Sequence, residues 1–472
     1  PNPAESRYDK FIGGHAGNSL AAACGYARAR KLDGKNHDII SVLGDGVLIN
    51  GLTAESLNNI SDSGKQIIII NDNDFSISPS VGSIAEYLSK LKNYCLSDGV
   101  ICENSPFAIY DIDYIGVVDG HNIGELITAL KMAKAHGKSV IIHTKTVKGK
   151  GLCEAENNPS KYHAVGNGKG ISFADILGNK LVELAQKDSK IVAVTAAMGM
   201  GTGLDIFGSH YPQRFFDVGI AEGHAVTMSA ALARAGYKPY VAIYSTFLQR
   251  AYDEIINDVC LSSLPVTFCI DRSGIVGEDG ETHHGVFDLN YLLSIPNLTV
   301  ASPSSLKELS NMLEWSTTYQ KPLAIRYPRG MAVSEYIEEY KTFPQWNYLV
   351  NNNVDNIILA TGANMVAEAK TAIKYLDDKG IKSDLVNARF NKPLDKLILD
   401  SIRGKRIFIL EDCQATGGFA ECVRSYYGDK KLYTKAIGDR FVKHGDISSL
   451  LKELELDAAS VAEWVIEALN ET

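Results

Sequence analysis

No apolar run in the sequence approaches the roughly 18 residues that a membrane span needs, no long Lys/Arg run occurs, and no two cysteines form a CxxC pair. The first absence, with no charged-then-apolar leader after Pro1, leads to the expectation of a soluble, cytoplasmic protein with no membrane partner. The second, with 47 Lys+Arg against 56 Asp+Glu and a net charge of −9, argues against a nucleic-acid partner, because phosphates need a basic footprint. The third concerns the 8 cysteines, scattered at 24, 95, 102, 153, 260, 269, 413 and 422. That spacing reads as reduced thiols and not as a disulfide frame or a zinc site. What remains is an ordinary globular composition, 45% hydrophobic and 22% charged over 472 residues, long enough for roughly three domains of about 150 residues.

Strand, glycine-rich turn and helix alternate along nearly the whole chain. Stretches 39–43, 67–70 and 140–142 read as strands of a first unit, with a helix over about 52–60. Stretches 191–194, 240–243, 266–270, 298–301 and 323–326 read as strands of a second, and 357–360, 383–386 and 407–410 as strands of a third with a helix over about 365–376. Continuous apolar strands alternating with helices imply parallel sheets covered on both faces. Breaks at the Gly/Lys-rich stretch 166–170 and the polar stretch 351–353 place the expected domains at 1–170, 171–348 and 349–472. Only 92–106 lacks a pattern, and it reads as a surface loop.

Chemistry concentrates at the ends of these strands, where open parallel sheets bind ligands. Gly44-Asp45-Gly46 closes one strand and Asn71-Asp72-Asn73 another. The Asp45 carboxylate and the Asn73 amide oxygen are hard ligands suited to an octahedral Mg²⁺ that keeps places for phosphate oxygens. The flanking glycines let backbone N–H groups approach a diphosphate. A lone GDG would be a polar turn, but GDG followed by an Asn after the next apolar strand is the pattern of thiamine-diphosphate enzymes. In Asp217-Val218-Gly219-Ile220-Ala221-Glu222-Gly223-His224, Glu222 lies among small apolar residues, an expensive place for a charge. It reads either as a helix N-terminal carboxylate or as a desolvated acid whose raised pKa suits proton exchange with the cofactor's aminopyrimidine. Arg250, Arg272 and Arg329 each stand near a strand end or turn, together with the pair His283-His284. Any one arginine could be a surface residue; the set looks like a site for a phosphorylated carbonyl substrate.

Carrying these motifs, the chain resembles the 1-deoxy-D-xylulose-5-phosphate synthase family, thiamine-diphosphate enzymes related to transketolase. The matching stretches include GDGVLINGLTAESLNN, IINDNDFSIS, YIGVVDGHN, KGKG, YHAVG, TAAMGMGTGL, FDVGIAEGHAV, YSTFLQRAYDE, DRSGIVGEDGETHHGVFDL, RYPRG, ARFNKPLD and GDRFVKHGD, from about residue 11 to 446. The resemblance implies an α/β fold of three consecutive parallel-sheet domains of the transketolase-like type. These would be a diphosphate/Mg²⁺ domain, a pyrimidine domain and a smaller C-terminal transketolase-like domain. It implies that Asp45, Asn73 and the backbone carbonyl of Phe75 bind Mg²⁺, and that Gly14, His15, Ala16, Gly46 and Val47 line the diphosphate. Glu222 would contact the aminopyrimidine, Phe247 would stack on it, and Leu152 stands where an aromatic usually touches the cofactor. Tyr244, Arg250, Arg272, Asp279, His283 and Arg329 would hold the substrates, and His163 would lie close to the reacting carbon. Other histidines, such as His37 and His136, are expected on the surface.

The implied reaction decarboxylates pyruvate on thiamine diphosphate and joins the two-carbon remainder to D-glyceraldehyde 3-phosphate, in a homodimer. Its product would feed isoprenoid, thiamine and pyridoxal synthesis. A transketolase or pyruvate dehydrogenase E1-like enzyme is an alternative, and so is a truncated or non-catalytic relative. Several positions depart from the family pattern: Ala16, Gly17 and Asn18 replace small hydroxyl residues, Leu152 an aromatic, and Gly223 a Gln. The usual segment ahead of residue 1 and a longer insertion after about Leu91 are expected from the family but absent from this sequence.

Overall fold

Four consecutive isoleucines build the centre of the first sheet. They open the strand Ile67–Asp72, whose β-branched residues pack on both sheet faces. In the computed structural model, which describes residues 2–76, 79–93, 105, 107–163, 170–330 and 343–471, this strand lies between Ile40–Gly44 and Val140–Lys145. The order is completed by Asp113–Asp119, and every neighbouring pair is parallel. Helices Asn18–Leu32 and Gly51–Asn58 and, on the other face, Ile123–Ala135 supply apolar residues to two separate cores. Asn50 and Asn122 start two of these helices by accepting backbone N–H groups, as N-caps should. Asp113–Asp119 escaped the sequence pattern because Gly116 interrupts its apolar run and an aspartate closes each end.

The chain divides into two units, Pro1–Asn167 with Asp217–Ala221, and Gly168–Phe216 with Glu222–Thr472. The second unit holds two sheets. One is 7-stranded, in the order Phe390–Lys392, Thr299–Ala301, Leu323–Arg326, Thr267–Asp271, Lys238–Tyr244, Ile191–Thr195, Phe215–Asp217. The other is 5-stranded, in the order Asn347–Val350, Asp384–Asn387, Asn356–Ala360, Arg406–Gln414, Tyr433–Ile437.

Three features differ from the sequence expectation. Parallel pairing dominates, but Phe390–Lys392 and Asn347–Val350 join their sheets antiparallel. The boundary expected at 348 falls inside the strand Asn347–Val350, which already belongs to the third sheet. Phe390–Lys392 follows three strands of the third sheet yet completes the edge of the middle one, so the two sheets share chain. The unpatterned stretch 92–106 and the glycine-rich break at 166–170 lie mostly outside the described residues. Among the described residues no helix is long and apolar enough to cross a membrane, and the described cysteines are free thiols.

Buried charges tie the second unit together. Arg389, with no exposed surface, pairs with Glu308 Oε1 at 3.0 Å and donates to the Gln345 carbonyl at 2.6 Å. Glu308 also accepts from Asn387 and from Ser304 on the helix Leu306–Ser316 side. Removing one partner of such a pair strands the other charge away from water. We expect Arg389→Ala to lower unfolding free energy by about 3–5 kcal/mol, read by urea denaturation, with Arg389→Met less damaging than Ala because it refills the space.

Candidate active site

In the first unit, strand Ile40–Gly44 ends in a tight turn, Asp45–Val47, that carries Asp45 inward until it is 4% exposed. Its Oδ2 accepts the Ser80 hydroxyl at 2.6 Å, while Oδ1 is buried with no hydrogen-bond partner. Burial pushes its pKa up, against the Ser80 bond, and the neighbouring Asp72 pushes it further. A buried carboxylate oxygen with no hydrogen-bond partner fits the role of a ligand to a divalent cation. On the adjacent strand end, Asn73 Oδ1 accepts the Phe75 N–H at 3.1 Å, which curls the turn so that Asn73 and the Phe75 backbone lie together. Among the described residues no cluster of three or more His, Cys, Asp or Glu could hold a metal. A donor set of one carboxylate, one amide oxygen and one carbonyl suits Mg²⁺ with its remaining places for phosphate and water.

Around Asp45 runs a groove lined by Gly46, Ile49, Ser76, Ser80, Val81 and Gly219. Both glycines leave little room: a Cβ on Gly46 would make a tight 3.1 Å contact with Ser76 Cβ, and one on Gly219, where φ is +70°, would lie 2.2 Å from Ile49 Cδ1. Gly14, His15 and Ala16 lead into the helix Asn18–Leu32 through Gly17 at φ +96°. Lys148 donates to the Ser76 carbonyl and, at 2.9 Å, to His163 Nδ1. Desolvation and the Lys148 ammonium both hold His163 below the usual imidazole range. Leu152 is 51% exposed and opens the short helix Cys153–Asn157.

In the second unit the strand ends again carry the chemistry. Glu222 begins the helix Glu222–Arg234 and is 3% exposed; burial raises its pKa, only partly offset by its own backbone N–H and by Arg250, whose Nη1 is 3.9 Å away. Strand Lys238–Tyr244 delivers Tyr244, whose ring stacks on Phe247 at 5.8 Å and lies under the Arg272 guanidinium at 3.6 Å. Burial pushes the Tyr244 hydroxyl up to about 12. Arg272 follows strand Thr267–Asp271 with φ +61°, a conformation that a non-glycine residue keeps only when its surroundings insist. Here they do, since Nη1 donates to the Gly201 carbonyl at 3.1 Å and lies 3.4 Å from Asp271. Arg329 Nη1 is 2.9 Å from Asp279 Oδ2. His283 packs edge-on to Phe247 at 5.4 Å, and burial lowers its pKa while Asp279, Arg272 and Arg329 act on it as charged neighbours. Tyr244, Phe247, Arg272, Asp279, His283 and Arg329 therefore form one cluster.

The two members of the pair His283-His284 have different surroundings. His284 accepts the Val276 N–H and donates to the Lys443 carbonyl at 3.0 Å, so it is a buried brace beside His283. The surface expectation for the remaining histidines fails in places. His136 pairs with Asp113 at 2.5 Å, and His143 has no exposed surface, lying 2.7 Å from Asp72. Ser80, Lys92 and His143, gathered with Asp72 around the first strand ends, went unnoticed in the sequence. The one available signal was a lone histidine inside the apolar strand Val140–Lys145.

These folds and strand-end sites define a transketolase-type thiamine-diphosphate-dependent transferase. The family described as "Transketolase, pyrimidine binding domain" matches residues 169–333 and "Transketolase, C-terminal domain" matches 345–461. Between them and the N-terminus, "1-deoxy-D-xylulose-5-phosphate synthase" matches 1–100 and 96–146, in two pieces. A 1-deoxy-D-xylulose-5-phosphate synthase from Clostridium perfringens is 41% identical over 518 residues, covering 99% of this chain and 84% of that protein. A solved "Split gene transketolase, inactive beta4 tetramer" is 26% identical with a TM-score of 0.57, covering 64% of this chain and 99% of that one. A transketolase from Campylobacter jejuni, at 17% identity and a TM-score of 0.55, covers 96% of this chain and 82% of its own and shares the fold. The chain belongs to the 1-deoxy-D-xylulose-5-phosphate synthase family. The alignment's 518 positions exceed the chain's 472, so the relative carries residues inside the matched stretch that this chain lacks.

Gly201 is what allows Tyr244 its place: a Cβ there would lie 1.6 Å from the Tyr244 hydroxyl. Gly201→Ala should therefore push the ring off Phe247 and Arg272, at a cost of about 1–3 kcal/mol, seen as a lower denaturation midpoint and a changed near-ultraviolet tyrosine signal.

Proposed function

We propose that this chain catalyses the decarboxylative condensation of pyruvate with D-glyceraldehyde 3-phosphate, giving 1-deoxy-D-xylulose 5-phosphate and CO₂. The observation that carries this reading is the 41% identity running through 99% of the chain, which favours it over the transketolase alternative. Thiamine diphosphate with Mg²⁺, when bound, supplies the nucleophilic carbon and the electron sink that decarboxylation needs. The chain's residues supply position and proton control. Asp45, Asn73 and the Phe75 carbonyl would hold the metal, and Gly14, His15, Ala16, Gly46 and Val47 would line the diphosphate. Leu152 would cover the cofactor where the family has an aromatic, with less contact area. The three domains would divide the work as diphosphate-binding (1–170), pyrimidine-binding (171–348) and C-terminal (349–472), in a cytoplasmic homodimer.

Glu222 would keep a proton on its carboxyl and pass it to and from the aminopyrimidine, with Phe247 stacked on that ring. Its pKa, raised by burial, supports this, because a carboxyl that holds its proton more firmly than an exposed one is better suited to give and take it. His163, held below the usual range and so neutral at neutral pH, would accept or donate a proton near the reacting carbon. Tyr244, Asp279 and His283 would orient the substrates, with Arg250, Arg272 and Arg329 turned to the phosphate of the aldehyde. A guanidinium fork gives that dianion paired charge-assisted hydrogen bonds, which a lysine would not.

Glu222→Gln preserves shape but not the exchangeable proton. The cofactor should bind by calorimetry much as in the parent enzyme, while kcat falls roughly 10²–10⁴-fold; an unchanged kcat would reduce Glu222 to a helix-start carboxylate. The substrate assignment is tested by supplying pyruvate with glyceraldehyde 3-phosphate and, separately, a ketose phosphate, and following which mixture is consumed. In Arg272→Ala and Arg329→Ala, the KM for the phosphorylated aldehyde should rise by the equivalent of about 2–5 kcal/mol, with pyruvate and an unphosphorylated aldehyde much less affected. Equal losses for all three would mean that the arginines brace the fold and bind no phosphate.

A further inference from the structure

Beneath the turn that presents Asn73 lies a line of buried polar groups that the reaction does not use. Asp72 ends the strand Ile67–Asp72 and is 1% exposed. Its Oδ1 lies 2.6 Å from Lys92 Nζ and accepts the Asp74 N–H at 3.2 Å. Its Oδ2 lies 2.7 Å from His143 Nε2, and the other nitrogen of that ring is 2.7 Å from the Tyr114 hydroxyl. Lys92, 9% exposed on the helix Gly82–Asn93, also reaches Asp74 Oδ1 at 2.5 Å. Both oxygens of Asp72 are thus committed, while Asp45, close enough to feel the Asp72 charge, keeps one buried oxygen without a partner.

We propose that Lys92 is a positioning residue of the metal site: by occupying the Asp72 carboxylate, with His143 on its other oxygen, it withholds a second anionic ligand and fixes the turn that carries Asn73 and Phe75. The site then offers one carboxylate, Asp45, to the cation. One carboxylate with neutral oxygens suits Mg²⁺, which keeps water and phosphate in its octahedron, whereas Ca²⁺ takes more ligands and tolerates several carboxylates in a looser shell. Lys92 therefore acts on which divalent ion supports cofactor binding as well as on how tightly. An ion pair that merely fastened the helix Gly82–Asn93 to the sheet would have no effect on that choice.

The proposal rests on Asp45 and Asn73 being the metal's ligands, and the experiment separates the two questions. Thiamine diphosphate binding is titrated by calorimetry with Mg²⁺ and with Ca²⁺ in the parent protein, Lys92→Met, Lys92→Arg and Asp45→Ala, with thermal midpoints alongside. Lys92→Met should weaken Mg²⁺-supported binding by about 10–100-fold, the usual cost of losing an outer partner of a metal ligand set. Ca²⁺-supported binding should fall less, so that the ratio of the two affinities shifts toward Ca²⁺, and Lys92→Arg should restore the Mg²⁺ preference. Should the Met variant not fold, Lys92→Gln keeps a donor to Asp72 without the charge and should show the same shift. An unchanged Mg²⁺/Ca²⁺ ratio in the folded Met or Gln variant overturns the proposal, whether or not overall affinity or the thermal midpoint falls. Unaltered binding in Asp45→Ala would overturn the ligand assignment itself, and the proposal with it.

Discussion

Asp45, a carboxylate closed off from water with one oxygen lacking a hydrogen-bond partner, is the constraint on which the strand-end groove of the first unit depends. Burying such a group costs free energy that a divalent cation held there would offset. Everything adjacent limits the remaining negative charge. Ser80 takes the other Asp45 oxygen, Lys148 adds its ammonium to the field at Asp45, and Lys92 pairs with Asp72, whose other oxygen faces His143. The glycines at 46 and 219 keep the groove walls close: a side chain at 46 would crowd Ser76, and one at 219 would collide with Ile49.

The second unit solves the same problem by pairing. Arg326, 1% exposed, is held by Asp288 at 3.0 Å and lies 3.7 Å from Asp412, and Glu411 accepts two backbone N–H groups at the start of the helix Phe419–Tyr427. These residues come from both sheets, so the C-terminal part of the chain shapes the turns that carry Arg272 and His283. Gly274, two residues past Arg272, is obliged to lack a side chain because Asp412 Oδ2 lies 1.9 Å from where its Cβ would be. His284, bound to the Lys443 carbonyl, anchors the same loop from its other end.

Two departures from the family pattern acquire a local reason. A side chain at Gly17 would meet Asn50 Oδ1 at 2.3 Å, and Asn50 is needed there to cap the helix Gly51–Asn58 and to bind the Ile220 carbonyl. A side chain at Gly223 would meet Glu254 Oε1 at 2.5 Å. In both places the room that the usual larger residue would take is filled by a polar side chain from elsewhere in the same unit. Leu152 has no such counterpart: it is exposed, and nothing in the structure explains the loss of the aromatic.

The long apolar strands, the residues at their carboxyl ends and the family pattern were legible in the sequence, because each is a local property. Apolar runs such as 67–70, a following Gly-Asp-Gly or Asn-Asp-Asn turn, and Glu222 at a helix start all lie within a few residues of their signal. What tertiary structure alone decided was which polar groups would be buried together. Asp72, Lys92, His143 and Tyr114 lie on separate elements, and sheet order rather than sequence order brings them into one line. The same holds for the division of His283 from His284, for Phe390–Lys392 crossing to the neighbouring sheet, and for Asp412 under Gly274. A side chain's solvent exposure and the charge facing it depend on chain that packs from far away, and neither can be read from the residues on either side of it.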